Sequence, residues 1–253
     1  MAKLWLFAVA APLLLALPHS FAQQGQRGRS IPSYIKVCRQ SNPNIEECIK
    51  NSIEKLRPYL VKGIPEFNIP SIEPLYIKTI NANQGQSLKI TLKDVKAYGC
   101  SDFVINRLKM DLKSMSMDFG LNLPHLYIES NYEVDGKILL LPIRGRGPFT
   151  GNFTNCKGDV ILRGGLEKRG GKDYLKYKSM DINIHVGRGK MQLENLFGGD
   201  KMLGKIVNDA INANFDQFRK ELKPQIEKAI SSVMLDSANQ IVQHFPYSEL
   251  FPK

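Results

Sequence analysis

Past its first 22 residues the sequence contains no apolar stretch near the roughly 20 residues that a membrane-spanning helix requires, so the chain reads as soluble from there on. It lacks the short patterns on which common active sites are built: there is no GxSxG nucleophile elbow, no HExxH, no P-loop and no Rossmann glycine pattern. Histidine is scarce. His125, His185 and His244 lie far apart in sequence, and each reads as a structural residue rather than a metal ligand or a base. No two close Cys or His pairs are present, which excludes the usual zinc spacing, and no metal is expected. A chain of this length buries roughly 70% of its unfolded surface unaided, so no cofactor is needed for stability. These absences argue against an enzyme.

What is present begins with a leader. Lys3 precedes an apolar run from Leu4 to Leu17, interrupted by Pro12 and followed by the small-any-small step Ser20-Phe21-Ala22. This reads as a secretory signal peptide over residues 1–22, with the secreted, extracellular chain starting at Gln23 and forming one domain, 23–253. Without Lys3 the balance is 34 basic against 24 acidic residues, or +10. The excess is scattered. Its densest cluster, Arg163, Lys168, Arg169 and Lys172, brackets a Gly-rich turn without stacking aromatics, so no nucleic-acid partner is expected. A basic secreted chain leaves transient contact with an anionic membrane or a receptor open, and a basic membrane-surface or defence protein is the alternative reading. The chain is expected to be a monomer.

Four cysteines follow the leader: Cys38, Cys48, Cys100 and Cys156. In an oxidising compartment an even count implies disulfides, with three connectivities open. The ten-residue separation favours Cys38 with Cys48, which leaves Cys100 with Cys156 by elimination. Asn152-Phe153-Thr154 is a glycosylation sequon in a Gly-rich, loop-like stretch.

Periodicity divides the rest. From Pro43 to Lys62, Ile45, Ile49, Ile53, Leu56 and Leu60 recur at helical spacing, with Asn42 as N-cap and Gly63 and Pro65 as the stop. Between about Ile72 and Phe197 the period becomes two. Leu88, Ile90 and Leu92 alternate with polar residues, as do Leu108, Met110 and Leu112; Met115 through Leu123 and Met180 through Val186 repeat the rhythm. Asp135-Gly136 and Gly170-Gly171 read as hairpin turns. From Asp200 to about Gln243 an apolar stripe of helical period includes Leu203, Val207, Ile211, Phe215, Phe218, Leu222, Ile226 and Met234, with Pro224 expected to kink or divide it.

A helix apolar along some forty residues needs an equally long cover, and the meander is the only candidate. The expected fold is α+β, a long C-terminal helix wrapped by a highly curved antiparallel sheet, with an elongated hydrophobic tunnel inside. Met110, Met115, Met117, Met180, Met191, Met202 and Met234 supply adaptable side chains for such an interior. A ligand burying about ten methylenes gains roughly 8 kcal/mol, enough after association costs for millimolar to micromolar affinity. The expected lining is Leu88, Ile90, Met110, Met117, Phe119, Leu121, Tyr127, Ile182 and Ile184 from the sheet. Val207, Ile211, Phe215, Phe218 and Met234 complete it from the helical stripe.

Several segments resemble a known family. They are Gly99-Cys100-Ser101-Asp102-Phe103-Val104-Ile105, Pro124-His125-Leu126-Tyr127-Ile128, Tyr132 to Ile143 and Gly145-Arg146-Gly147-Pro148-Phe149, followed by Leu193-Glu194-Asn195-Leu196-Phe197, Gly199 to Gly204 and Phe245 to Pro252. In this order they resemble the insect takeout and juvenile-hormone-binding family across nearly the whole secreted chain. The resemblance implies a tubular lipid-binding fold and a secreted, non-enzymatic carrier of a fatty acid, terpenoid or juvenile-hormone-like molecule, in circadian, feeding or chemosensory physiology. It also implies the Cys38–Cys48 bridge. Cys100 and Cys156 do not match the second bridge of the hormone-binding branch, which with the basic balance favours the takeout branch.

Overall fold

A computed structural model describes residues 31–83, 88–138 and 141–253. The expected signal peptide and the segment 23–30 lie outside these residues. Helix α1 runs Ile45–Lys62 and stops at Gly63, whose φ of 81° suits glycine. It starts later than expected. Asn44 occupies the N-cap position, and Asn42 instead accepts a hydrogen bond from the Asn44 amide at 2.9 Å, closing the preceding turn. A disulfide joins Cys38 to Cys48 on the first turns of α1, with the Cα atoms 5.9 Å apart. Replacing both by Ser is expected to lower stability by about 3 kcal/mol through the freed ten-residue loop, as read from the denaturation midpoint; an unchanged midpoint would show that the bridge constrains nothing.

Seven antiparallel strands follow: β1 Leu75–Asn81, β2 Leu88–Tyr98, β3 Val104–Asp111, β4 Ser116–Ile138, β5 Leu141–Arg169, β6 Lys172–His185 and β7 Arg188–Leu193. The order is β1-β2-β4-β5-β6, with β3 on β4 and β7 on β5. Two very long strands form the spine. The first half of β4 pairs with β3 and the second with β2, while β5 pairs with β7 and then β6. The turn between β5 and β6 falls at Gly170-Gly171, both at positive φ. The other expected turn does not form. Asp135 and Gly136 continue β4, paired with Arg144 and Ile143, and the chain reverses only after Ile138, which pairs with Leu141. Gly136 is needed for a positive φ of 141° within the strand, not for a reversal.

The C-terminal stripe forms two helices, α2 Lys201–Ala213 and α3 Phe215–Val242, before the short α4 Tyr247–Leu250. The break lies at Asn214 and not at Pro224. Asn214 closes α2 by donating from its side-chain Nδ2 to the Ala210 carbonyl at 2.8 Å, and its backbone carbonyl opens α3 by accepting from the Gln217 and Phe218 amides at 3.1 Å. Pro224 stays inside α3 because the carbonyl it orphans, that of Lys220, sits on an exposed helix face where water serves it.

Length forces the sheet to curl. The 29 residues of β5 would extend roughly 95 Å if straight, whereas the 28 residues of α3 span about 42 Å. Both outer strands of the sheet reach the same helix. Ala229 and Val233 pack on Ile77, Ile80 and Val95 at the β1 edge, and Met234, Leu235 and Ala238 pack on Leu175, Tyr177 and Met180 at the β6 edge. The sheet therefore closes around α3.

Polar side chains complete the closure. Asn208 accepts from the Leu193 amide and donates to the Leu193 carbonyl, both at 2.9 Å, and Asn212 does the same to Met191 at 2.8 Å. Along α3, Glu227 accepts from the Ile184 amide at 2.5 Å, Ser231 donates to the Met180 carbonyl, and Asn239 brackets Tyr177 at 2.8 and 2.9 Å. The free edges of β6 and β7 are thus hydrogen-bonded to helix side chains instead of to another strand.

Candidate functional site

Which face of the long ribbon points inward changes halfway along it. In the first half of β4, Met117 and Phe119 pack inside, opposite Leu162 and Val160 of β5. In the second half Tyr132 and Val134 are inside, and on β5 the buried residues change from Phe149 and Gly151 to Cys156, Val160 and Leu162. The phase slips at Pro124-His125, both exposed, and at Asn155, which takes a positive φ of 54°. Pairing of the two strands keeps a single register throughout. Each end of the ribbon thereby turns its apolar face toward α3.

The apolar interior is not one continuous core. A first buried cluster gathers Leu88, Ile90, Tyr132, Val134, Phe149, Val207, Ile211, Phe218 and Leu222, with Phe153, Phe215 and Ile226 against it. A second gathers Val160, Leu162, Leu175 and Met180, with Met117, Phe119, Ile182 and Met234 half-buried against it. Between them lies a belt belonging to neither. On β4 it holds Leu121 and Leu123, on β5 Gly158, on β6 Ile184 and on α3 Ile230. These apolar side chains are only half-buried.

Gly158 shows what occupies the belt. It pairs with Leu121 on one side and Ile184 on the other, and shares its face with buried Cys156 and Val160. A Cβ placed on it would meet no atom within 4 Å. The inner side of the sheet is open there.

The residues expected from sequence divide accordingly. Leu121 and Ile184 border the open space, and Met117, Phe119, Ile182 and Met234 stand at its edge, half-buried. Leu88, Ile90, Val207, Ile211 and Phe218 are core, with Phe215 packed on them. Met110 pairs with Met117 but lies on β3, the strand beside α1. Tyr127 points outward, next to Tyr98 with ring centroids 6.0 Å apart and paired with exposed Asn152. The phase slip accounts for this, because counting on from Leu121 and Leu123 puts Tyr127 on the wrong face. Gly158 was missed; an isolated glycine inside a strand pattern is the signal that could have singled it out.

The expected Cys100–Cys156 bridge does not form, and both thiols are free. Cys100 follows β2 and Cys156 lies on β5, with β4 between them. Two strand spacings make roughly 9 to 10 Å, beyond the reach of about 7 Å for a disulfide. Burial, with the Glu73 carboxylate adding to it, pushes the Cys100 thiol up to about 12, and burial pushes Cys156 up to about 11. Both are thiols, not thiolates, at neutral pH. Asn152 sits in the middle of β5 and not in a loop; its side chain is exposed and hydrogen-bonded to His125 Nε2 at 2.6 Å.

Two surface grooves are the wrong chemistry for a greasy guest. One, of about 560 Å³, lies against the disulfide and is rimmed by Lys36, Arg39 and Glu47. The other, of about 840 Å³, is rimmed by Glu133, Asp135, Arg144 and Arg146. Among the described residues no group of three or more His, Cys, Asp or Glu could hold a metal ion, and no helix is long and apolar enough to cross a membrane.

The sequence profile of haemolymph juvenile hormone binding proteins fits residues 13–252. The chain belongs to that family. Members of the juvenile hormone binding protein family are carriers of hydrophobic ligands and not enzymes, and this chain is such a carrier. Among similar proteins is the circadian clock-controlled protein daywake of Drosophila melanogaster, 25% identical over 88% of each chain. A putative beta-carotene-binding protein of Schistocerca gregaria is 24% identical over 86% of this chain and 88% of that one. The crystal structure of Takeout 1 from Epiphyas postvittana superposes with a TM-score of 0.76, covering 87% of this chain and 100% of that chain at 23% identity. It shares the fold of this juvenile hormone binding protein family member, the curved sheet around a long helix.

Proposed function

We propose that the open belt at Gly158 is part of a tunnel along α3 that holds a small hydrophobic ligand, and that the protein is a secreted carrier for it. The observation that carries this reading is the pairing of a sheet closed around a helix with an interior that is unfilled midway. Leu121, Ile184 and Ile230 supply apolar surface there without burying one another, and Met117, Phe119, Ile182 and Met234 form its margin. Every methylene of ligand placed against such surface contributes about 0.8 kcal/mol. The ligand class is a fatty acid, a terpenoid or a juvenile-hormone-like molecule. Relatives described as clock-controlled or as carotene-binding support carriage of an apolar signal or pigment, within circadian, feeding or chemosensory physiology.

Displacement of the fluorescent probe N-phenyl-1-naphthylamine, together with native mass spectrometry of the purified protein, tests the reading. We expect saturable displacement by fatty acids or terpenoids, with affinity changing less than about twofold over a tenfold rise in salt. Docking on anionic membranes would instead weaken steeply as salt screens the charges. Absence of displacement by every lipid tried would reject the carrier reading.

A further inference from the structure

We infer that the first turns of α2 are a membrane-contact surface, which seats the protein reversibly on a phospholipid bilayer carrying anionic lipid. Soluble chains scatter their exposed apolar side chains singly. Here three of the eight large hydrophobic side chains exposed among the described residues fall within five consecutive positions: Met202 is 75% exposed, Leu203 46% and Ile206 55%. Met202 and Ile206 lie one turn apart on one face of the helix with Leu203 beside them, while Val207, Asn208 and Ile211 are buried on the opposite side. The helix end is fixed without any partner, because the Asp200 carboxylate accepts from the Met202 and Leu203 amides at 2.9 Å. The patch is a built feature of the folded chain and not a frayed terminus.

Charge beside the patch selects the partner. Lys201 and Lys205 line one side of it, both exposed; Lys205 pairs with Asp209, and Lys201 has no carboxylate partner among the described residues. The segment leading into α2 is tied to β5, where the Phe197 amide donates to the Arg144 carbonyl at 2.9 Å, and Phe197 and Gly198 share the 840 Å³ surface groove with Arg144 and Arg146. The acids of that groove are engaged: Glu133 lies 3.6 Å from Lys93 and Asp135 lies 3.7 Å from Arg144. Arg146 is left without a carboxylate partner among the described residues. Cations around an apolar face match the phosphates and anionic headgroups of a bilayer, with lysine stems lying along the apolar boundary. Area argues the same way. Three partly exposed side chains make a patch of a few hundred Å², short of the roughly 800 Å² per partner that a stable dimer buries, whereas an amphipathic face sinks into the headgroup boundary without such a minimum. No helix among the described residues is long and apolar enough to cross a membrane, so α2 lies on the bilayer and not through it.

Co-sedimentation with sucrose-loaded vesicles tests the surface, using the chain without residues 1–22. The wild type is expected to sediment with phosphatidylcholine vesicles containing about 30% phosphatidylserine, and about tenfold more weakly with phosphatidylcholine alone. Ile206→Glu should weaken binding to both by about tenfold or more, while Lys201→Gln combined with Arg146→Gln should lower only the preference for phosphatidylserine, by about threefold. These side chains are exposed, so Tm and displacement of N-phenyl-1-naphthylamine in solution should not change. Leu203→Trp supplies the only indole once Trp5 is absent, and its emission should shift to the blue on vesicles. A wild type that stays in the supernatant with both vesicles, or an Ile206→Glu variant that sediments like the parent, rejects the surface. So does a dimer in light scattering that Ile206→Glu splits, since a second copy then covers the patch. None of these readouts requires a bound ligand, so they stand or fall apart from the carrier reading.

Discussion

Replacing Gly158 by Phe is expected to weaken ligand binding by about a hundredfold while leaving the chain folded. The position is unusual because a side chain can begin there unopposed: the new Cβ meets no atom within 4 Å. An aromatic ring there displaces about four methylenes of ligand, or roughly 3 kcal/mol, which is about a hundredfold in Kd. Stability should hold or rise, since a glycine inside a strand gives up more conformational freedom on folding than any other residue. Gly158→Ala is the control and should bind within about threefold of wild type. A Phe variant that melts like the parent and still displaces N-phenyl-1-naphthylamine normally would show that the space at Gly158 is not where ligand sits.

Asn208→Ala should be the most destabilising single surface-to-interior change in α2. Asn208 is buried and makes three hydrogen bonds, two to the Leu193 backbone and one to the Gly204 carbonyl at 2.9 Å. Alanine leaves the Leu193 amide and carbonyl buried without partners, at a cost of about 3 kcal/mol, which for a chain of this size lowers Tm by roughly 6 to 12 °C. The m-value should not change, because the surface exposed on unfolding is the same. A loss below about 0.5 kcal/mol would mean that water replaces the amide and that the edge of β7 is wetter than its packing indicates.

Much of the fold was legible because its signals are periodic and long. An apolar stripe some forty residues long identified the C-terminal helices, and alternation identified β2, β4 and β6, since both rest on side-chain direction alone. Where a single residue decides, reading failed. Gly136 looks like a turn but serves a strand conformation, and Asn214 breaks the stripe through its own side chain while Pro224, the stronger breaker by propensity, is tolerated on a wet face. The site was less legible than the fold. Alternation cannot report the phase slip at Pro124-His125 and Asn155, which moved Tyr127 outside. Nor can it separate filled core such as Leu88, wholly buried, from open lining such as Leu121, because both are apolar at the same spacing.

The helix that the sheet encloses is the last long element in the chain. During synthesis β1 through β7 emerge before any part of α3, and no earlier segment can substitute for it. For the time needed to translate some fifty further residues, the nascent sheet presents a greasy hollow and two unsatisfied borders to its surroundings. Final closure awaits the arrival of Phe218, Leu222 and Asn239, and a truncation before Phe215 would leave a sheet with nothing to close around.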